Sequence, residues 1–355
     1  RFNLKIKMKI QQAIQAAVDG VDLSQEDAAD AMRSIMSGDA TPAQFGAYVT
    51  ALRMKGETPY EIAGMASVMR EVSLHIDTDT DLVDTCGTGG SGLNWFNIST
   101  ASAFVVAGAG VPVAKHGNRA MSGSSGSADV LEALGVNITL GPEGVKNCIT
   151  EAGIGFMFAQ AFHPAMKFAG PLRPQIGIRT IFNFLGPLTN PAGATRQVVG
   201  VSDATFAHKI AQALEILGTR YAFVVHAESG GDEVDIEGQT LIYQVNSDGV
   251  KRRRTRPADF GLPEGRRDHL VTDSVEHSSE IICRIFTGEG GGHNAPVSPE
   301  TSRRNVVVLN SAAALMAAGK ATAFQEASAI AQDSIDSGAA QARLSALVKV
   351  SQEQT

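Results

Sequence analysis

"LVDTCGTGGSGLNWFNISTASAFVVAGAG", residues 82–110, changes character twice within one short span. It opens as a short apolar run, passes through a glycine loop, and continues as an uncharged apolar segment of helical composition. Gly87, Gly89 and Gly90 follow the expected strand directly. Strand, glycine loop and helix start form the arrangement in which backbone N–H groups and the helix dipole face an anion. Thr88, Ser99 and Thr100 add hydroxyls for phosphate oxygens or a hydrated cation. The stretch lacks both the G-K-S/T of a Walker loop and the G-x-G-x-x-G dinucleotide fingerprint. A tight turn with ordinary helix caps would use the same residues, so a phosphate site needs support from elsewhere in the chain.

Downstream, short apolar runs alternate with capped helical segments. Strands are expected at 82–86, 111–114, 136–140, 154–159, 196–201, 221–227 and 241–246, with helices between them such as 127–135 and 203–218. Such alternation predicts an α/β domain with a central, mostly parallel sheet. Upstream, residues 8–75 read as helices only. Ser24 with Asp27, Thr41 with Gln44 and Thr58 with Glu61 have the spacing of capping boxes, and Pro42 and Pro59 stand at first helical positions. The fold class is therefore α/β, a small all-helical N-terminal domain followed by a larger sheet-containing domain. Residues 8–77 are assigned to the first and 78–355 to the second. The proline-rich segment 163–191 interrupts the alternation, and part of 170–193 is expected to return and pack on the N-terminal helices. Residues 1–7 read as an appended remnant before a start at Met8.

The totals narrow the function. A net charge of −7 argues against nucleic-acid binding, which requires a basic surface. The run "KRRRTR" at 251–256 reads as a solvated surface segment. Three well-separated cysteines, Cys86, Cys148 and Cys283, fit a reducing compartment rather than a disulfide framework. No stretch approaches the ~18 uncharged apolar residues of a membrane span.

Three further motifs gather donors and acids. "AKHGNRAMSGSSGSADVLEALG" (114–135) sets Lys115, His116, Asn118 and Arg119 at a strand end, before a serine–glycine loop. Strand carboxyl ends are where open α/β sheets bind ligands, and four donors there suggest an anion. "GGDEVDIEG" (230–238) offers Asp232, Glu233, Asp235 and Glu237, oxygen ligands suited to Mg²⁺ bridging to phosphates. Arg173 in "GPLRPQIG", with Arg179 nearby, has the chemistry of a bidentate carboxylate clamp or of a structural salt bridge. No Ser-His-Asp order, glycosidase acid pair or zinc ligand set stands out. The residue types describe a phosphorylated, Mg²⁺-dressed ligand beside a second anion.

Taken in order, "GTGGSGLNWFNIST", "KHGNRAMSGSSGSADVLEALGV", "HPAMKFAGPLRPQIGIRTIFNFLGPLTNP" and "GGDEVDIEG" resemble the successive blocks of the anthranilate phosphoribosyltransferases, over about residues 8–350. The pyrimidine nucleoside phosphorylases share this architecture but not the "KHGNR" and "GIRTIFN" blocks. The resemblance implies that anthranilate displaces pyrophosphate from C1′ of phosphoribosyl pyrophosphate, with inversion, on the route to tryptophan. It implies a donor site of Gly87, Thr88, Gly89, Gly90, Ser91, Trp95, Asn97, Ile98, Ser99 and Thr100, continuing through Lys115, His116, Gly117, Asn118, Arg119, Ala120, Met121, Ser122 and Gly123 to Ser127. Gly87, His116, Asn118 and Arg173 would surround anthranilate, Arg173 meeting its carboxylate, and Ser99, Asp232 and Glu233 would hold two Mg²⁺ ions per monomer. It further implies a cytoplasmic homodimer joined through the helical domain, with small-molecule substrates and neither nucleic acid nor membrane as partner.

The chain departs from the family at named places. The family's loop usually reads G-T-G-G-D, and here Ser91 replaces the acid. Trp95 stands where a threonine or modest aliphatic residue is usual, and Ser124 where many relatives carry lysine. "VTDSVEHSSEIICRIFTGEGGG" (271–292) departs from the usual G-G-D-P-x-x-N-A pattern. A relative with a changed donor or acceptor, or a non-catalytic relative, remains an alternative at this point.

Overall fold

The computed structural model describes residues 7–120, 125–288 and 295–354. Four helices lead: α1 (Ile10–Val18), α2 (Gln25–Met36), α3 (Pro42–Lys55) and α4 (Pro59–Glu71). The expected caps of α3 and α4 are complete boxes, Thr41 with Gln44 and Thr58 with Glu61. The cap of α2 is not reciprocal. Ser24 accepts the Asp27 N–H, but the Asp27 carboxylate takes the Ser24 hydroxyl proton instead of the backbone N–H.

Seven strands follow in one sheet: β1 (Val83–Gly87), β2 (Val113–Gly117), β3 (Ile154–Phe158), β4 (Arg196–Gly200), β5 (Tyr221–Ala227), β6 (Thr240–Asn246) and β7 (Gly249–Thr255). Their order is β3-β2-β1-β4-β5-β6-β7, parallel from β3 to β5 and antiparallel through β6 and β7. Between β1 and β4 the winding changes direction. That switch point opens a crevice at the carboxyl ends of the strands, where such sheets bind ligands. Helix α5 (Ile98–Gly108) crosses from β1 to β2, and α6 (Ser127–Ala133) and α7 (Pro142–Ala152) connect β2 to β3. The helix Pro299–Ala317 packs on α5, and the helices Phe324–Asp336 and Ala339–Glu353 close that side.

Two expectations are corrected. Residues 136–140 form no strand. The Asn137 side chain accepts from the Thr139 N–H and folds the segment into a turn, which buries Val136 and Ile138 between α6 and α7. The run at 251–256 is largely the edge strand β7, with Lys251, Arg252 and Arg254 exposed. These three and Arg256 are solvated as expected, but Arg253 lies over the rings of Phe223 and Phe324, Thr255 is buried, and the backbone pairs with β6. Cations on an edge strand discourage pairing with another sheet.

Within 163–191 the backbone makes single turns, among them Arg173–Ile176, Ile181–Asn183 and Gly186–Leu188. Phe182 meets Phe45 of α3 edge-to-face at 5.3 Å, and Arg70 of α4 donates to the Leu188 carbonyl at 2.6 Å. All three cysteines are free. Among the described residues no helix is long and apolar enough to cross a membrane.

Candidate active site

The glycines that end β1 and β4 are register partners, Gly87 opposite Gly200. A Cβ on Gly200 would collide with the Asp232 carbonyl, and one on Gly87 would come within 2.8 Å of the Asp232 carboxylate. Bare backbone at the switch point therefore lets the acidic loop lie across it. The Asp232 carboxylate accepts the Gly89 N–H at 2.8 Å, and the Glu233 carboxylate accepts the Ser99 N–H at 3.2 Å in the first turn of α5. The amides expected to hold an anion already face carboxyl groups supplied by the chain itself. The Gly90 N–H has no acceptor among the described residues.

Behind the loop, Arg179 donates to the carbonyls of Gly90 (3.0 Å) and Gly89 (3.3 Å), and Ser202 to that of Gly89 at 2.8 Å. Those carbonyls are thus held away from the crevice. The Arg179 guanidinium also lies over Phe184 at 5.2 Å, so it braces the loop rather than joining Arg173 in a carboxylate clamp. Trp95 sits on the far side of the acidic loop. Its backbone bridges Val271, and a Cβ on Gly231 would come within 2.7 Å of the indole. The bulky ring therefore backs the residue next to Asp232. Ser91 accepts the Leu93 N–H at 3.5 Å, and its hydroxyl favours the charged form of Asp232 against burial.

Lys115 is 2% exposed, and its ammonium donates to the Thr85 carbonyl and, at 3.3 Å, to the Ser99 hydroxyl. Burial lowers its pKa, while Asp84 and Glu233 favour its charge. Burial raises both Asp232 and Glu233. Glu233 is pushed to about 8, first by burial and then by Asp232. Ile98 spends its N–H on the Phe96 carbonyl, and the Thr100 hydroxyl is enclosed without a partner among the described residues.

The loop after β2 is pinned at its base. Asp129 of α6 accepts the N–H groups of Ala120 (2.9 Å) and Gly126 (3.0 Å), and ion-pairs with Arg119 at 2.8 Å. Burial opposes these bonds, yet they hold the carboxyl below its ordinary value. Arg119 also pairs with Glu132 at 2.7 Å, so its charge is engaged on α6. Ser127 hangs from the Asn118 carbonyl at 3.4 Å, against Gly117. Asn97 joins the loop's far end by accepting the Ser125 hydroxyl proton at 2.6 Å. Met121, Ser122 and Gly123 lie outside the described residues.

His116 and His163 form a buried pair with Nε2 atoms 3.2 Å apart, and His116 Nδ1 lies 3.2 Å from the Gly186 carbonyl. A carbonyl only accepts, so His116 carries its proton on Nδ1 and takes one at Nε2 from His163. That leaves His163 Nδ1 as a buried lone pair without a partner among the described residues. Burial pushes His116 down to about 3 and His163 to about 4, so both are neutral at physiological pH. Arg173 is half-buried at the start of its one-turn helix, and burial lowers its pKa. Sequence reasoning missed His163, Asp129 and Ser278. The first lay in a block read for its prolines and arginines, and the others looked like helix polar residues.

Among the described residues no group of three or more His, Cys, Asp or Glu forms a closed metal cage. The donor set nonetheless fits Mg²⁺, which binds through one or two carboxylates and completes its shell with water and substrate phosphates. Asp232, Glu233 and the Ser99 hydroxyl are such oxygens, and burial raises the pKa of both acids, which a nearby cation would offset.

This switch-point geometry coincides with the two modules found by comparison. Residues 79–341 match the glycosyl transferase family, a/b domain, and residues 11–73 its helical bundle domain. The protein "Anthranilate phosphoribosyltransferase" of Chloroflexus aurantiacus is 53% identical over 345 residues, covering 97% of this chain and 99% of its own. The anthranilate phosphoribosyltransferase structure from Thermus thermophilus superposes with a TM-score of 0.88 at 39% identity, over 96% of this chain and 99% of its own. The Saccharomyces cerevisiae enzyme, solved in complex with PRPP and Mg, gives 0.87 at 25% identity, over 97% of this chain and 98% of its own. The chain belongs to the anthranilate phosphoribosyltransferase family.

Proposed function

We propose that this site transfers the phosphoribosyl group of phosphoribosyl pyrophosphate to the amine of anthranilate, releasing pyrophosphate, in tryptophan biosynthesis. One observation carries the reading. The glycine-loop and α5 amides meet an adjacent acid pair, Asp232–Glu233, at the sheet's switch point. An amide row suits a pyrophosphate, and the acids suit the divalent cation that travels with it.

In this reading the N–H groups of Gly89 and Ser99 pass from the chain's own carboxylates to the pyrophosphate, joined by that of Gly90, and Asp232 and Glu233 would hold Mg²⁺. With the Ser99 hydroxyl, these two acids would hold two Mg²⁺ ions. When bound, Mg²⁺ neutralises charge building on the leaving oxygens. The amides need no reorganisation while the C1′–O bond breaks, which is where fixed dipoles lower a barrier most. Lys115 and the loop to Gly123, with Ser127, would surround the 5-phosphate and ribose. Anthranilate sits against Gly87, His116 and Asn118, its carboxylate on Arg173. The neutral imidazoles of His116 and His163 add no competing cation at that carboxylate. The aromatic amine is unprotonated near neutrality, so its lone pair attacks C1′ without a strong general base and loses its proton afterwards.

The domain division follows the same reading. Residues 8–77 with part of 170–193 make the helical domain, supported by Phe182 on Phe45 and Arg70 on Leu188, and 78–355 make the donor-binding domain. The exposed Val18, Met54 and Tyr60 of α1, α3 and α4 support a homodimer through the helical domain. We place the enzyme in the cytoplasm. Incubation with anthranilate, phosphoribosyl pyrophosphate and Mg²⁺ should consume anthranilate fluorescence and release one pyrophosphate per turnover. No product under those conditions rejects the proposal.

A further inference from the structure

We propose that Ser278 is a positioning residue of the donor site, keeping the start of α5 open to an anion by holding the Asn97 side chain away from it. This rests on the donor-site reading above. Asn97 is the N-cap of α5, and an asparagine there ordinarily folds its carbonyl onto the first free N–H groups of its own helix. Here it makes no such bond.

Ser278 explains why. It lies on the helix Val275–Phe286, which packs on α6, and it is fully buried. Its hydroxyl accepts the Asn97 backbone N–H at 3.0 Å and donates to Asn97 Oδ1 at 2.8 Å. The neighbouring Ser279 shows the ordinary alternative, bonding the Val275 carbonyl of its own helix at 2.6 Å. The second lone pair of Oδ1 accepts from Ser125, and Nδ2 returns a bond to the Ser125 carbonyl at 3.3 Å. Both acceptor positions of the amide are therefore filled away from α5. One Nδ2 hydrogen has no partner among the described residues and is available to a phosphate oxygen. The Ser99 N–H, which a self-capping Asn97 would take, stays with the exchangeable Glu233 carboxylate. Ser278 thus ties together Asn97, the far end of the loop at Ser125, and α6.

The test compares Ser278→Ala and Ser125→Ala with the wild-type enzyme in steady-state kinetics, alongside thermal unfolding. Ser278→Ala frees Asn97 to cap α5, so the KM for phosphoribosyl pyrophosphate should rise about 3–10-fold, the loss of one hydrogen bond. The kcat and the anthranilate KM should stay within about 2-fold, and the Tm should not fall. Ser125→Ala should shift the same KM, and the double variant should lose less than the product of the two effects. An unmoved donor KM overturns the proposal, as does a parallel rise of both KM values with a lower Tm. Wild-type enzyme that fails to use the donor sinks the functional reading and this proposal together. Wild-type turnover with an unmoved donor KM in Ser278→Ala sinks this proposal alone.

Discussion

The two halves of the crevice, proposed here for donor and for acceptor, are built on opposite plans. On the donor half, charged side chains engage the site's own amides and hydroxyl: Asp232 on the Gly89 N–H, Glu233 on the Ser99 N–H, Lys115 on the Ser99 hydroxyl. On the acceptor half two buried imidazoles are neutral, and one nitrogen, His163 Nδ1, lacks a partner among the described residues. The difference follows from the ligands. A multiply charged diphosphate can displace internal ion contacts because it brings its own cation, whereas a flat aromatic acid needs a dry wall and one counter-charge.

The largest expected break in that contrast comes from the acids. Asp232→Ala with Glu233→Ala should cost about 10²–10³ in kcat/KM, the scale for removing preorganised transition-state electrostatics. A smaller loss in initial-rate assays would show that the amides act without them. Arg173→Ala should instead raise the anthranilate KM by about 10–100-fold with kcat little changed, as for one charged hydrogen bond in the ground state. An unchanged KM removes the carboxylate clamp.

The halves should also differ in their response to pH. With Glu233 raised to about 8, binding of metal and donor at pH 7 expels its proton. Affinity should therefore climb as pH rises towards 8, by up to about tenfold per unit for one proton released. Calorimetry in buffers of different ionisation enthalpy counts that proton. The histidines act on stability. Their folded values near 3 and 4 lie below the ordinary 6.5. As pH falls below 6.5 the unfolded chain takes up protons that the folded one refuses, so stability is lost progressively down to about pH 3. Urea unfolding at pH 7 and pH 5 should show the loss, and a flat profile would mean the pair protonates in place. The smallest effect is expected of Ser91→Asp, which restores a charge beside Asp232 and should tighten Mg²⁺-dependent donor binding by about 2–5-fold, the range of a solvated charge pair. No gain by calorimetry would show that the Ser91 contact already suffices.

How much of this was legible beforehand depends on whether the signal is local. Glycine loops and adjacent acids are read from neighbouring letters, so Gly87 to Gly90 and Asp232–Glu233 were visible, as were the helical domain and six of the seven strands. The strand expected at 136–140 failed because the Asn137 side chain outcompetes the ladder, and β7 was hidden because its outward side chains are all charge. Contacts made across the fold were not legible at all. Nothing near His163 names His116 as its partner, and Ser278 reaches Asn97 across 181 positions. Trp95 was visible as a departure from the usual smaller residue, but only the packing on Gly231 shows where its bulk goes.

The cations of β7 bear on how the protein behaves in quantity. The opposite edge, β3, is fully buried, whereas β7 leaves an unpaired backbone row facing outward behind Lys251, Arg252 and Arg254. Crowded copies are thereby kept from zipping into ribbons through electrostatic repulsion. Concentrated salt should erode that safeguard first, turning a clear stock cloudy well before the fold itself gives way.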